Sequence, residues 1–413
     1  MDFNIFFEEQ QKLIRNISLK NKRYLYEKIK WGNKCIALLG QRGVGKTTLM
    51  LQYLKEFYHD NPKALYISAD NPYFKAVSLY EFAQQFEKLG GNVLFIDEIH
   101  KYDEWSSHIK SIYDMTDLKV VISGSSMLRI HKQKADLSRR MNVYRLANLS
   151  FREYLQFNDV IKFDSITIED IFKSHIKTAS EISSKIKPLQ HFNDYIKFGC
   201  YPFISEGKEL YSNKLTGIIN QILENDLPYI TNINFSQINK IKKLVYLIAV
   251  SVPFSPNIAE LARITEISRP TLIEYLYFLE LASIINTVSY KGRGYGKLEK
   301  PDKIFLYNTN IANAITNNPN IGNISETFFI NQFKSYNYNK KDFIVENILL
   351  SKKGDFLIEN TYTIEIGGRN KSFEQIKSEN NAFIAADDIE IGFRNKVPLW
   401  LFGFYINLTY RDE

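Results

Sequence analysis

Gly40-Gln41-Arg42-Gly43-Val44-Gly45-Lys46-Thr47-Thr48 is the stretch that decides how the N-terminal part of this chain folds. The apolar run before it, Cys35-Ile36-Ala37-Leu38-Leu39, has the length of a buried strand. After it, Leu49-Met50-Leu51-Gln52-Tyr53-Leu54 continues as a helix. A strand, a glycine-rich turn and a helix N-terminus in that order form a cradle for an anion. Glycines let backbone N–H groups wrap a phosphate with no side chain in the way, and the helix adds the positive end of its dipole. All nine residues are candidate nucleotide contacts. Lys46 can reach the β- and γ-phosphates, and the Thr47 hydroxyl can ligate Mg²⁺.

A second half of the same site follows. Asn92-Val93-Leu94-Phe95-Ile96-Asp97-Glu98 is an apolar run ending in two carboxylates. Its length predicts a strand buried on both faces of a parallel sheet, where ligands bind at the C-terminal strand ends. Asp97 would stand near Mg²⁺, and Glu98 would polarise the attacking water as base. The plainer alternative for Glu98 is an exposed acid at a strand end. Ala64-Leu65-Tyr66-Ile67-Ser68-Ala69-Asp70 and Leu118-Lys119-Val120-Val121-Ile122-Ser123-Gly124-Ser125-Ser126 supply two more strands. That order predicts a sheet whose first and third strands are not neighbours, closed by a fifth at Val143–Ala147. Ser125 or Ser126 at the strand tip either bonds the γ-phosphate or attacking water, or belongs to a Gly-Ser turn.

From Lys34 through Leu155 the chain resembles AAA-type ATPases of bacteria and archaea that carry a C-terminal domain known as DUF4143. The matching pieces are the loop through Leu49, Leu94-Phe95-Ile96-Asp97-Glu98-Ile99-His100-Lys101, Ile122-Ser123-Gly124-Ser125-Ser126 and Leu149-Ser150-Phe151-Arg152-Glu153-Tyr154-Leu155. The family often has Pro-Arg-Arg where this chain has Gln41-Arg42-Gly43, and Arg140 aligns with a family arginine. Arg139 and Arg140 are candidates to reach the γ-phosphate, in cis or from a neighbouring copy in a homo-oligomer, or are solvated surface charges. The resemblance implies ATP; no base-reading motif separates ATP from GTP.

Composition bounds the remaining classes. Net charge is +7, from 53 basic and 46 acidic residues, which permits nucleic-acid contact without requiring it. Two cysteines, Cys35 and Cys200, argue against a disulfide framework or a zinc site. The N-terminus lacks a signal-peptide pattern, and the most apolar later runs, Leu244–Phe254 and Pro398–Leu408, are too short to span a bilayer. No membrane role and a cytoplasmic location are expected.

Four segments are expected along the chain: an ATPase core over residues 1–155, a helical lid and linker over 156–235, a winged helix over 236–310, and a nuclease-like domain over 311–413. In the lid, Leu189–Pro202 resembles a family helix ending in glycine and a Tyr-Pro turn, and Asp226 fits an acidic helix end before Pro228. In the winged helix, Asn257–Ala262 starts one helix and Ile267–Leu276 a second, with Pro270 in its first turn. A basic, aromatic, glycine-rich tip, Ser289–Lys297, follows. Arg269, Lys291, Arg293 and Lys297 are the candidate DNA contacts, against a purely protein-docking role for the module.

The resemblance also implies a restriction-endonuclease-like α/β fold at the C-terminus, with a helix glutamate, an aspartate and a Glu-x-Lys gathered around a metal. Glu326, Asp355 and Glu365 stand in that order, but Gly367 occupies the lysine position. Arg369 and Lys371 lack the expected spacing, and arginine cannot shed its proton to activate water. A nuclease-like scaffold without cutting activity is therefore expected. The chain reads as an α/β protein: a P-loop NTPase parallel sheet with a helical lid, then the winged helix and the endonuclease-like domain. The functional expectation is an Mg-ATP-driven switch acting on a macromolecular partner, DNA or protein. An ATP-dependent DNA-processing nuclease is the alternative, and a small-molecule P-loop kinase is a third class.

Overall fold

A computed structural model describes residues 2–124, 137, 139–228, 233–250, 257–291, 300–316, 321–336 and 348–406. The chain divides into two compact units, Met1–Ala147 and Asn148–Glu413.

The first unit is a five-stranded parallel sheet flanked by helices. Its elements are α1 (Asn4–Arg15), β1 (Cys35–Leu39), α2 (Lys46–Tyr58), β2 (Ala64–Ser68), α3 (Leu79–Lys88), β3 (Val93–Asp97), α4 (Trp105–Met115), β4 (Lys119–Gly124) and β5 (Asn142–Arg145). The strand order is β2-β3-β4-β1-β5, so β4 separates β1 from β3 as the motif order predicts. Ala37 pairs with Ile122 on one side and Val143 on the other. β1 and β3 are buried along their whole length, which explains why both read as unbroken apolar runs instead of alternating ones. This topology puts the ends of β1, β3 and β4 side by side.

The second unit begins with four helices, α5 (Phe151–Phe157), α6 (Ile168–Ser183), α7 (Pro188–Phe198) and α8 (Lys208–Gln221). A π-helical turn, Ile222–Asp226, extends α8 and contains Asp226. Then come α9 (Phe235–Val250), α10 (Ile258–Thr265) and α11 (Arg269–Leu281), followed by an antiparallel ribbon of β6 (Ile285–Val288) and β7 (Lys303–Leu306). Asn257 and Ser268 cap α10 and α11 by accepting from backbone N–H groups three residues on.

The chain continues through α12 (Thr309–Ile315) and α13 (Ile321–Tyr336) into a mixed sheet. Its strands are β8 (Ile348–Leu350), β9 (Phe356–Ile358), β10 (Tyr362–Gly367), β11 (Ala382–Ala386) and β12 (Lys396–Pro398), with β8-β9-β10 antiparallel and β10-β11-β12 parallel. The last strand, β12, is short. Pro398 has no N–H to extend the ladder, and Leu399–Phe404 coils into a 3₁₀ turn instead. A buried reciprocal amide pair, Asn148 with Asn331, ties the start of this unit to α13.

Candidate nucleotide-binding site

The loop between β1 and α2 depends on backbone shapes that only glycine adopts cheaply. Gly43 and Gly45 have φ of +79° and +97°. A Cβ on Gly40 would collide with the Leu146 carbonyl, so the loop lies close against the chain leaving β5. Helices α3, α5, α6 and α10 have Ser78, Ser150, Thr167 and Asn257 as side-chain caps. Helix α2 has Gly45 at that position, and among the described residues no side chain caps it. Its first N–H groups therefore point where an anion would sit.

Lys46 is buried, and its Nζ donates to the Gly40 and Gln41 carbonyls at 2.9 and 3.0 Å. Those bonds hold the ammonium inside the loop, where a bound polyphosphate would compete for it. On the facing strand tip, Thr47 Oγ1 donates to Asp97 Oδ2 at 2.5 Å. Loop and carboxylate strand thus meet through the two residues expected to serve Mg²⁺. Both are hard oxygen donors, and Mg²⁺ retains water and phosphate oxygens in most of its shell. The residues therefore fit a nucleotide-bound Mg²⁺. A protein-only cage is not needed, and among the described residues no group of three or more His, Cys, Asp or Glu is placed to hold a metal. A bound ion would neutralise phosphate charge; Thr47 and Asp97 would orient it.

Three residues overlooked in the sequence converge on the acids. Tyr66, buried on β2, donates to Asp97 Oδ2 at 2.8 Å. Burial and the Asp97 carboxylate push the Tyr66 phenol far above its usual range, so it remains a donor. Ser123 on β4 donates to Asp97 Oδ1, which also accepts from the Glu98 N–H at 3.0 Å. Glu98 then takes a left-handed conformation, φ +50°, as the chain turns into Ile99–Lys101. Its Oε2 lies 3.3 Å from His100 Nε2 and 4.0 Å from an Arg42 Nη1. Glu98 is therefore not merely a solvated acid at a strand end. In the sequence Tyr66 is one residue of an apolar strand run, Ser123 stands before more exposed-looking serines, and His100 follows the acids with no motif to mark it.

A fourth such residue acts from behind. Arg23 is buried, donates to the Val44 carbonyl and donates through Nη2 to the Ala147 carbonyl at 2.8 Å. Val44 is inside the loop, so the segment before β1 braces it. No sequence motif marks such a residue.

Arg140 requires a correction. It pairs with Asp114 through Nε–Oδ1 at 2.8 Å and Nη2–Oδ2 at 3.0 Å, a bidentate geometry. The pairing holds the Asp114 carboxyl below its ordinary value. Arg140 precedes β5, whose Asn142 pairs with Ile36 at the start of β1, whereas the loop follows Leu39 at the other end. About 15 Å of strand intervenes. Arg140 therefore does not reach this chain's own loop, and the surface-charge reading and a role toward a neighbouring copy both stay open. Arg139 is exposed beside it. Ser125 and Ser126 lie outside the described residues.

In the second unit, Arg269 is exposed at the start of α11 and Lys291 is exposed just past β6; Arg293 and Lys297 lie outside the described residues. The C-terminal acids are brought together. Burial raises the Glu326 carboxyl from 4.5 to about 7; Lys303, 3.1 Å away, opposes this, and Asp355 and Glu365 add to it. Glu365 is raised as well, first by burial. Lys371 Nζ lies 2.5 Å from Glu365 Oε1, and its side chain covers Gly367, where an added Cβ would meet Lys371 Cδ at 2.8 Å. Lys371 thus lies against both Glu365 and Gly367. Two ammonium groups sit on these acids, and no metal-holding group is present among the described residues, so a resident metal does not fit this arrangement.

Comparison with known proteins agrees with the first unit. Residues 32–155, which hold the phosphate loop and both acids, match the family described as an AAA domain. Residues 189–321 match a domain of unknown function, DUF8612, where the sequence resemblance pointed to DUF4143. An uncharacterised protein of Methanocaldococcus jannaschii is 26% identical over 425 residues, spanning 96% of this chain and 85% of that one. Among solved structures, the replication initiator DnaA bound to AMPPCP and single-stranded DNA aligns with 67% of this chain and 88% of its own, at 16% identity and TM-score 0.25. AMPPCP-bound DnaA from Aquifex aeolicus aligns with 87% of its own length at the same identity and score. No helix among the described residues is long and apolar enough to cross a membrane.

Proposed function

We propose that the chain is an Mg-ATP-hydrolysing switch whose turnover rearranges its C-terminal unit on a macromolecular partner. The Thr47–Asp97 bond carries this reading, because it joins the phosphate loop to the acid strand with Glu98 next in line. Lys46 and the loop N–H groups would hold the phosphates, Thr47 and Asp97 would orient Mg²⁺, and Glu98 would draw the proton from water. General-base catalysis of this kind is worth about 10²–10⁴ in rate. Glu98→Gln should therefore bind ATP as the wild type does and turn over at least about a hundredfold more slowly. Equal turnover would remove the hydrolytic assignment, and transfer of phosphate to a small acceptor would favour a kinase.

The partner proposed is DNA. Helices α9 to α11 with the β6–β7 ribbon support a winged-helix reading, and Arg269 and Lys291 present exposed cations on it. In the same proposal the C-terminal sheet is an endonuclease-like scaffold that does not cut, with Lys303 and Lys371 paired to Glu326 and Glu365 where a metal would have to bind. Metal-dependent cleavage of plasmid DNA, lost in Glu365→Ala, would reverse that part and establish the DNA-processing alternative.

A further inference from the structure

We infer that His100 is the positioning residue of the hydrolytic base. This rests on Glu98 being that base. His100 is 3% exposed while its partner Glu98 is 22% exposed, so the imidazole is anchored in the protein and the carboxylate reaches toward solvent. An imidazole taken out of water costs free energy unless a partner meets its N–H, and the Glu98 carboxylate at 3.3 Å is placed to be such a partner.

The backbone is shaped for the same contact. Glu98 takes the left-handed conformation, and the Ile99–Lys101 turn brings the ring two residues on back to the Glu98 side chain. Ile99 between them is fully buried, which pins the turn. Arg42 of the phosphate loop faces the same Oε2 at 4.0 Å. One carboxylate oxygen is thus fixed between an imidazole and a guanidinium, and fixing it sets the direction of the other. A base must lie within hydrogen-bond reach of the water proton it removes, so a freely rotating carboxylate would lose much of its effect.

The test compares side chains of similar volume with and without an N–H donor. His100→Met should lower kcat for Mg-ATP about tenfold or more while the Kd of a fluorescent ATP analogue moves less than about twofold. His100→Gln, which places an amide N–H near the Nε2 position, should recover most of the lost rate. In a Glu98→Gln background, His100→Met should have no further effect on residual turnover, because the ring acts through the carboxylate. His100→Phe serves as the second apolar variant if the methionine form does not fold. Wild-type kcat in the apolar variants, equal losses with Met and Gln, or a full further loss on Glu98→Gln would each overturn the inference while leaving the ATPase reading intact. A wild-type chain that binds nucleotide without hydrolysing it would remove both.

Discussion

Tyr66 and Thr47 donate to the same oxygen of Asp97, at 2.8 and 2.5 Å, so the carboxylate proposed to face Mg²⁺ is fixed from β2 as well as from the loop. With Mg²⁺ bound, Thr47 would serve the ion, and Tyr66 and Ser123 would hold the acid. Groups that orient a metal-directing ligand typically contribute about 10–100-fold to metal affinity or activity. Tyr66→Phe removes one hydroxyl at little packing cost. It should raise the Mg²⁺ concentration for half-maximal ATPase activity about tenfold while leaving metal-free nucleotide binding unchanged. A magnesium titration that superimposes on the wild type would show that Tyr66 is only a core residue.

Arg23 predicts a stability effect with a nucleotide signature. Arg23→Met would leave the Val44 and Ala147 carbonyls without the donor that satisfies them in a buried setting. Each such loss costs about 1–3 kcal/mol. Denaturant unfolding of the first unit should shift by a few kcal/mol in total. Because Val44 lies in the phosphate loop, ATP should bind more weakly, and saturating ATP at about 100 times Kd should return about 2.7 kcal/mol of stability. Unchanged unfolding would mean that other groups or water satisfy those carbonyls.

Glycine at position 40 is set by contact with Leu146, not by its torsions. Gly40→Ala would drive a methyl into the Leu146 carbonyl and against Val44. Backbone on one side cannot yield as a flexible side chain can, so the loop itself must move. Loss of measurable ATP binding with the fold retained by circular dichroism is the expected result. Normal affinity would show that the loop accommodates the methyl.

The parallel sheet was legible because β1 and β3 are buried on both faces and so appear as unbroken apolar runs bracketed by glycine and carboxylates. Strand order followed from the same runs, since the extra strand between loop and acids dictates the crossover. What the sequence hid is what depends on distance. Arg23 reaches Val44 and Ala147 across separations no motif records. Lys371 covers Gly367 because the chain turns after β10, so a search at fixed spacing passes over it. Arg140 misled for the opposite reason: its alignment with a family arginine says nothing of which edge of the sheet it occupies.

Glu326 gives the second unit a stability that depends on pH, and the sign follows from its raised value. The folded carboxyl titrates at about 7 against 4.5 ordinarily, because burial and the nearby Asp355 and Glu365 outweigh Lys303. Between those values the folded chain holds a proton that the unfolded chain has released. Stability from this group is therefore present at low pH and is lost as pH rises through about 7. The full effect is about 3 kcal/mol, spread over that window. Glu365 is also raised, so it adds a slope of the same sign. Urea unfolding of the wild type, followed through a signal in the second unit, should show a midpoint that falls from pH 5 to pH 8. In Glu326→Gln, which cannot ionise, the fall should be distinctly shallower whatever the absolute stability of the variant. Parallel midpoint curves for the two proteins would mean that Glu326 is charged throughout and that Lys303 holds it ionised.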